Sequence, residues 1–65
     1  MSIQTKKMYD GTFRFYDDAT GAVVSTFVLR GYPTASSLEK IRYNMEVIGG
    51  YVTLELRMYE IEVPA

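Results

Sequence analysis

Cysteine and histidine are both missing from these 65 residues. Without cysteine there are no disulfides, and the redox compartment leaves no mark on the chain. Without either residue a structural zinc site is ruled out, and only carboxylates remain as metal ligands. No imidazole exists to activate Ser25, Ser36 or Ser37, and Lys40 is not expected to have the burial that a catalytic base needs. Catalysis is therefore not expected. An excess of charge is missing too: seven basic and eight acidic residues give a net charge of −1. A domain that gains affinity by releasing phosphate counterions normally carries a basic excess, so nucleic acid is disfavoured as a partner. Long apolar runs are absent, which excludes a membrane-spanning helix. The opening "MSIQTKKMYDG" carries Lys6 and Lys7 with no apolar stretch behind them and does not read as a signal peptide. A cytoplasmic protein, of a cell or of a virus inside one, is the expectation. No cofactor and no small-molecule substrate are expected.

A chain of this length cannot divide its apolar residues between two cores, so residues 1–65 form a single domain. Even one core is marginal at this size, and small domains recruit disulfides, a metal or a partner. With the first two removed, association remains.

The pattern of what is present predicts a small α+β domain of order ββαβ. "TFRFYDDATGAVVSTFVLR" reads as a hairpin over about 8–30: Phe13 and Phe15 face one way, Arg14 and Tyr16 the other. "DDATG" supplies the turn, because an Asp side chain can bond the following backbone and Gly21 can take positive φ. "AVVSTFVL" is apolar on both faces, which predicts a central or doubly covered strand. Whether residues 3–8 extend the first strand stays open. A helix is predicted over about 35–48. Ser36 and Glu39 have capping-box spacing, and Leu38, Ile41, Met45 and Ile48 form one stripe. Gly49 and Gly50 end it. A third strand over about 51–62 follows, giving a three-stranded sheet with the helix on one face. Its apolar phase flips after Met58, to Tyr59, Ile61 and Val63, which predicts a bulge near Tyr59 or a strand leaving the core to meet another chain. The expected core is Phe13, Phe15, Phe27, Leu38, Ile41, Met45, Ile48, Val52, Leu54 and Leu56.

Three apparent chemical motifs have plainer explanations. Gly49-Gly50 follows the helix C-terminus, the wrong end for an anion, so it reads as a cap. Asp17-Asp18 lacks the spaced oxygens of a calcium loop and reads as a turn. Glu60 and Glu62 share a strand face but lack the cleft that a carboxylate pair needs, and read as a solvated strand end.

The positive signal is tyrosine, six in 65 residues. Arg14, Tyr16, Tyr51, Arg57 and Tyr59 all fall on the predicted sheet face away from the helix. Tyr43 and Val47, at i and i+4, make an apolar spot on the outer side of the helix. Tyr and Arg are enriched at binding hot spots. The residues therefore point to a protein-binding module, an adaptor, assembly or inhibitor protein, that associates with itself as a homodimer or higher oligomer. Two alternatives stand beside it. Aromatics on a sheet can stack the bases of a single-stranded nucleic acid, with Arg14 and Arg57 placed for phosphates, although Glu55 interrupts that face. A small non-enzymatic chain also suits a phage-encoded inhibitor of a host protein.

The segment "GYPTASSLEKIRYNMEVIGGYVTLEL", about the C-terminal half, resembles the small linker domains of phycobilisomes. The likeness lies in a strand ending near "YP", an amphipathic helix, Gly-Gly and an alternating strand. Asn44 and Tyr51 stand where such linkers carry basic residues. The resemblance implies a linker-type piece wedged between larger subunits.

Overall fold

The computed structural model describes residues 2–64. Strand β1 (Ile3–Tyr16) and strand β2 (Val23–Tyr32) form the hairpin, followed by helix α1 (Ala35–Gly49) and strand β3 (Val52–Pro64). The strands make one antiparallel sheet of order β2-β1-β3, and α1 packs on one face of it. The fold is α+β, ββαβ. Residues 3–8 do extend β1.

The hairpin turn forms as its residues dictate. The Asp17 carboxylate accepts the amides of Ala19 (2.8 Å) and Thr20 (3.0 Å), and Gly21 takes φ +73°. These two amides hold the exposed Asp17 carboxyl below its ordinary value, the Thr20 amide contributing most. A depressed folded-state pKa stabilises the loop while Asp17 is ionised, and that contribution is lost as pH falls through the lowered value, below 3.8. Acid titration followed at the Ala19 and Thr20 amide resonances should show one shared transition in that window. The Asp17→Asn variant, whose amide cannot ionise there, should show none.

Strand β2 is an edge strand, and the central position expected for it belongs to β1. One face of β2 turns Phe27 and Leu29 toward the core, and the hydrophobicity of the rest reflects exposed apolar groups. Val23, Val24 and Val28 all reach solvent. Two irregularities bend this edge. Asp10 faces both Arg30 and Gly31 across one bulge, where Gly31 has φ +76° and donates its amide to Asp10 Oδ1 at 3.1 Å. Val24 is the extra residue of the other, between Ser25 opposite Phe15 and Val23 opposite Tyr16.

The β1–β3 seam behaves differently. It pairs one to one from Phe15↔Val52 to Ile3↔Pro64 without a shift. Of the two expectations for the phase change, the bulge near Tyr59 is absent and the strand does run out beyond the core. Alternation is maintained, and the apolar groups change face because β3 runs past the end of the helix. Val52, Leu54, Leu56 and Met58 share the helix side, whereas Tyr59, Ile61 and Val63 lie on the other.

Helix α1 begins at a Thr34 N-cap in extended conformation, so the Ser36–Glu39 capping box is not formed. Ser36 already lies in the first turn. The hydroxyls of Thr34 and Ser37 bond each other at 2.7 Å. Gly50 ends the helix at φ +90°, donating its amide to the Glu46 carbonyl at 3.1 Å.

Among the described residues the fully buried large side chains are those of Phe13, Leu38 and Val52, with Tyr9, Phe15, Leu29, Tyr32, Ile41, Met45 and Leu54 packed around them. Gly11 lets the helix approach: a Cβ there would lie 2.9 Å from Leu54 Cδ1 and 3.2 Å from Leu38 Cδ1. Phe27 lies at the margin, 38% exposed, with its ring 5.7 Å from that of Phe13. Two expected core residues lie outside. Ile48 is 89% exposed, because at 100° per residue the line through Leu38 and Met45 continues to Gly49, which abuts the Phe15 ring. Leu56 is 40% exposed, beyond the reach of the helix.

The molecule is long. Its radius of gyration is 15.1 Å and it measures 56 × 18 × 11 Å, whereas a compact chain of this length has a radius of gyration of about 11 Å. The difference lies in a two-stranded arm, residues 3–8 paired with 59–64, that runs beyond both β2 and the helix.

Candidate protein-binding surface

Pairing with β1 sets the geometry of the open sheet face. Arg14 lies opposite Thr53, Thr12 opposite Glu55, Asp10 opposite Arg57 and Met8 opposite Tyr59. Period two then gathers Arg14, Tyr16, Tyr51, Arg57 and Tyr59 on the side away from the helix. The residues form three groups. Near the hairpin tip the rings of Tyr16 and Tyr51 tilt against each other at 5.4 Å, and the Thr53 hydroxyl donates to the Tyr16 oxygen at 3.3 Å. In the middle, Arg14 pairs with Glu55 at 2.9 Å. At the bulge, the Arg57 guanidinium sits 5.5 Å from the Tyr59 ring centroid and 3.9 Å from Asp10 Oδ2. Desolvation first, and the Asp10 carboxylate second, hold the Tyr59 phenol above its ordinary value.

Tyr43 and Val47 lie apart from this face. Both are more than half exposed, on the outer side of α1. An open depression between Ser36, Glu39, Lys40, Tyr43 and Asn44 adjoins them. The expected residues thus belong to two surfaces on opposite sides of the molecule.

Sequence reasoning missed part of the exposed apolar surface. Ile3 and Ile61 are uncovered on the arm, Leu56 and Met58 on the helix side of β3, and Val23, Val24 and Val28 along β2. The signal for β2 was its two-sided hydrophobicity; the signal for the arm was the change of phase after Met58, because its exposure follows from where the helix stops. Asp10 was also missed. It is a largely covered carboxylate that accepts the Gly31 amide and faces Arg57.

Among the described residues no cluster of three or more Asp and Glu could hold a metal ion. No helix of the described residues is long and apolar enough to cross a membrane. No protein-family model matches the chain, and no curated protein or solved structure matches it either. The likeness to linker domains rests on the helix–Gly-Gly–strand segment alone.

Proposed function

We propose that this protein is a non-catalytic protein-binding module that associates with itself. One observation carries the reading: among the described residues three side chains are fully buried, while twelve large apolar ones, from Ile3 to Ile61, are exposed. Full burial of a large apolar side chain contributes about 1.5–3 kcal/mol, so three such groups give little to set against the entropy of ordering the chain. A second surface covering part of the exposed set supplies what the isolated fold lacks. The arm adds to this, since a two-stranded ribbon standing alone is only marginally stable in water. Nucleic acid fits less well, because Arg14 and Arg57 face the carboxylates of Glu55 and Asp10. A phosphate would have to compete with both.

Sedimentation equilibrium across a wide concentration range tests the reading. An apparent mass above that of the 7.4 kDa chain, falling on dilution, is expected. The Tyr51→Ser/Tyr59→Ser variant should weaken that association while leaving the far-ultraviolet circular dichroism unchanged. A monomer at every concentration, or loss of folding with no effect on assembly, would count against it.

A further inference from the structure

Three strand edges are open among the described residues, and they are not alike. β2 is bent by both bulges. The free edge of β1, residues 3–8, carries Lys6 and Lys7. Bulges and lysines are devices by which edge strands avoid pairing. The outer edge of β3 has neither: it contains no lysine, runs without a register shift from Val52 to Pro64, and has proline only at its last residue.

Building on the self-association proposed above, we infer that β3 pairs antiparallel with β3 of a second copy, about a two-fold axis through Leu56. The charges of β3 select this register. Centred on Leu56, Glu55 of each copy lies opposite Arg57 of the other, giving two ion pairs. Centred on Glu55 or on Arg57, the strand sets like charges face to face, which is unfavourable. Both side chains reach solvent, at 71% exposed for Glu55 and 77% for Arg57, and each would add the cross-copy partner to the one it faces in its own chain, Arg14 for Glu55 and Asp10 for Arg57. The same register opposes residues that the single chain leaves uncovered. Leu56 meets Leu56, Leu54 meets Met58 on the helix side, and Tyr51 meets Ile61 on the open side. The result is a continuous six-stranded sheet of order β2-β1-β3-β3-β1-β2 with both helices on one face. Each helix lies beside the arm of the other copy, because α1 covers the Val52 end of its own β3.

Exchanging the charges tests the register. Glu55→Arg alone places two guanidinium groups face to face at both paired positions of the dimer, and Arg57→Glu alone does the same with two carboxylates. Each should weaken self-association by roughly tenfold or more. An equimolar mixture of the two variants offers a heterodimer in which neither copy need face its own kind. One pairing of that heterodimer sets the introduced guanidinium of the first variant against the introduced carboxylate of the second, and the other keeps native Arg57 opposite native Glu55. Both are opposite-charge pairs, so the heterodimer should be at least as tight as the unaltered dimer. A second measurement leaves the charges alone. In an antiparallel pair, directly opposed Cα atoms lie about 4.5–5.5 Å apart, within disulfide reach. Leu56→Cys, the single thiol in the chain, should therefore cross-link with its own copy under copper-phenanthroline oxidation. Met58→Cys, opposed to Leu54, should cross-link far more slowly. If the protein dimerises but the mixture shows no rescue and Leu56→Cys does not cross-link, the β3 register is wrong and the contact lies elsewhere, as on the Tyr43/Val47 side of the helix. If the unaltered protein stays monomeric at every concentration, the self-association reading fails with it.

Discussion

The Phe13→Ala variant should be unfolded at every concentration at which the unaltered protein is folded. Phe13 is fully buried on the central strand, beneath the helix and against the ring of Phe27. Removing a buried phenylalanine side chain costs about 3–5 kcal/mol. A domain of this length has a total stability of about 3–10 kcal/mol, and a core of three fully buried side chains belongs at the low end. Far-ultraviolet circular dichroism and amide spectral dispersion read the outcome. Phe27→Ala, at the margin of the same stack, should cost less and leave a folded chain. Equal losses at the two positions would mean that Phe13 does not anchor the core.

A second large effect is expected at the contact between helix and sheet. Leu38→Ala removes the only fully buried side chain contributed by the helix, at a cost of about 2–5 kcal/mol. Gly11→Ala alone is expected to cost about 1–3 kcal/mol by overpacking, since its new methyl meets both Leu38 methyls and Leu54. The two changes are complementary. Once the Leu38 methyls are gone, the Gly11→Ala methyl occupies part of the space they leave. The double variant should therefore be more stable than the sum of the single losses requires, by at least about 0.5 kcal/mol. Urea denaturation at one fixed protein concentration measures all four corners of the cycle, and strict additivity would show that the two residues do not share this space. The concentration must be held constant because association contributes to apparent stability.

Features encoded over a few residues were legible in the chain, and features set by distant parts were not. The Asp17–Gly21 turn, the helix stop at Gly50 and the alternation of β3 depend on neighbours in sequence, and each formed as read. Strand order depends on which strand β3 chooses. "AVVSTFVL" looked central because two-sided hydrophobicity usually means two-sided cover, yet β3 added to β1 instead. Ile48 was misplaced by letting a three-four-three spacing stand in for a turn of 3.6 residues, while Gly49, with no side chain, gave no sign that it faces Phe15. The cap was misread because Thr34 and Ser36 offer equivalent hydroxyls two residues apart. The change of phase after Met58 was real, and the pattern alone left a bulge and a strand leaving the core as equal causes, because only the packing shows where helical cover ends. For the candidate surface, period two sufficed to put Arg14, Tyr16, Tyr51, Arg57 and Tyr59 on one face. It could not reveal that Arg14 and Arg57 each face a carboxylate there.

The uninterrupted seam between the first and third strands also bears on how the molecule comes together. The hairpin closes over a handful of residues, so its loop entropy is small and it forms early. The pairing of Ile3 with Pro64 must wait for nearly the whole chain, and non-local contacts of this kind slow folding. Until then the central strand has one side empty, and its partner is free to meet the matching strand of another molecule. During synthesis, the order of events thus decides whether the sheet is completed within one molecule or shared prematurely between two.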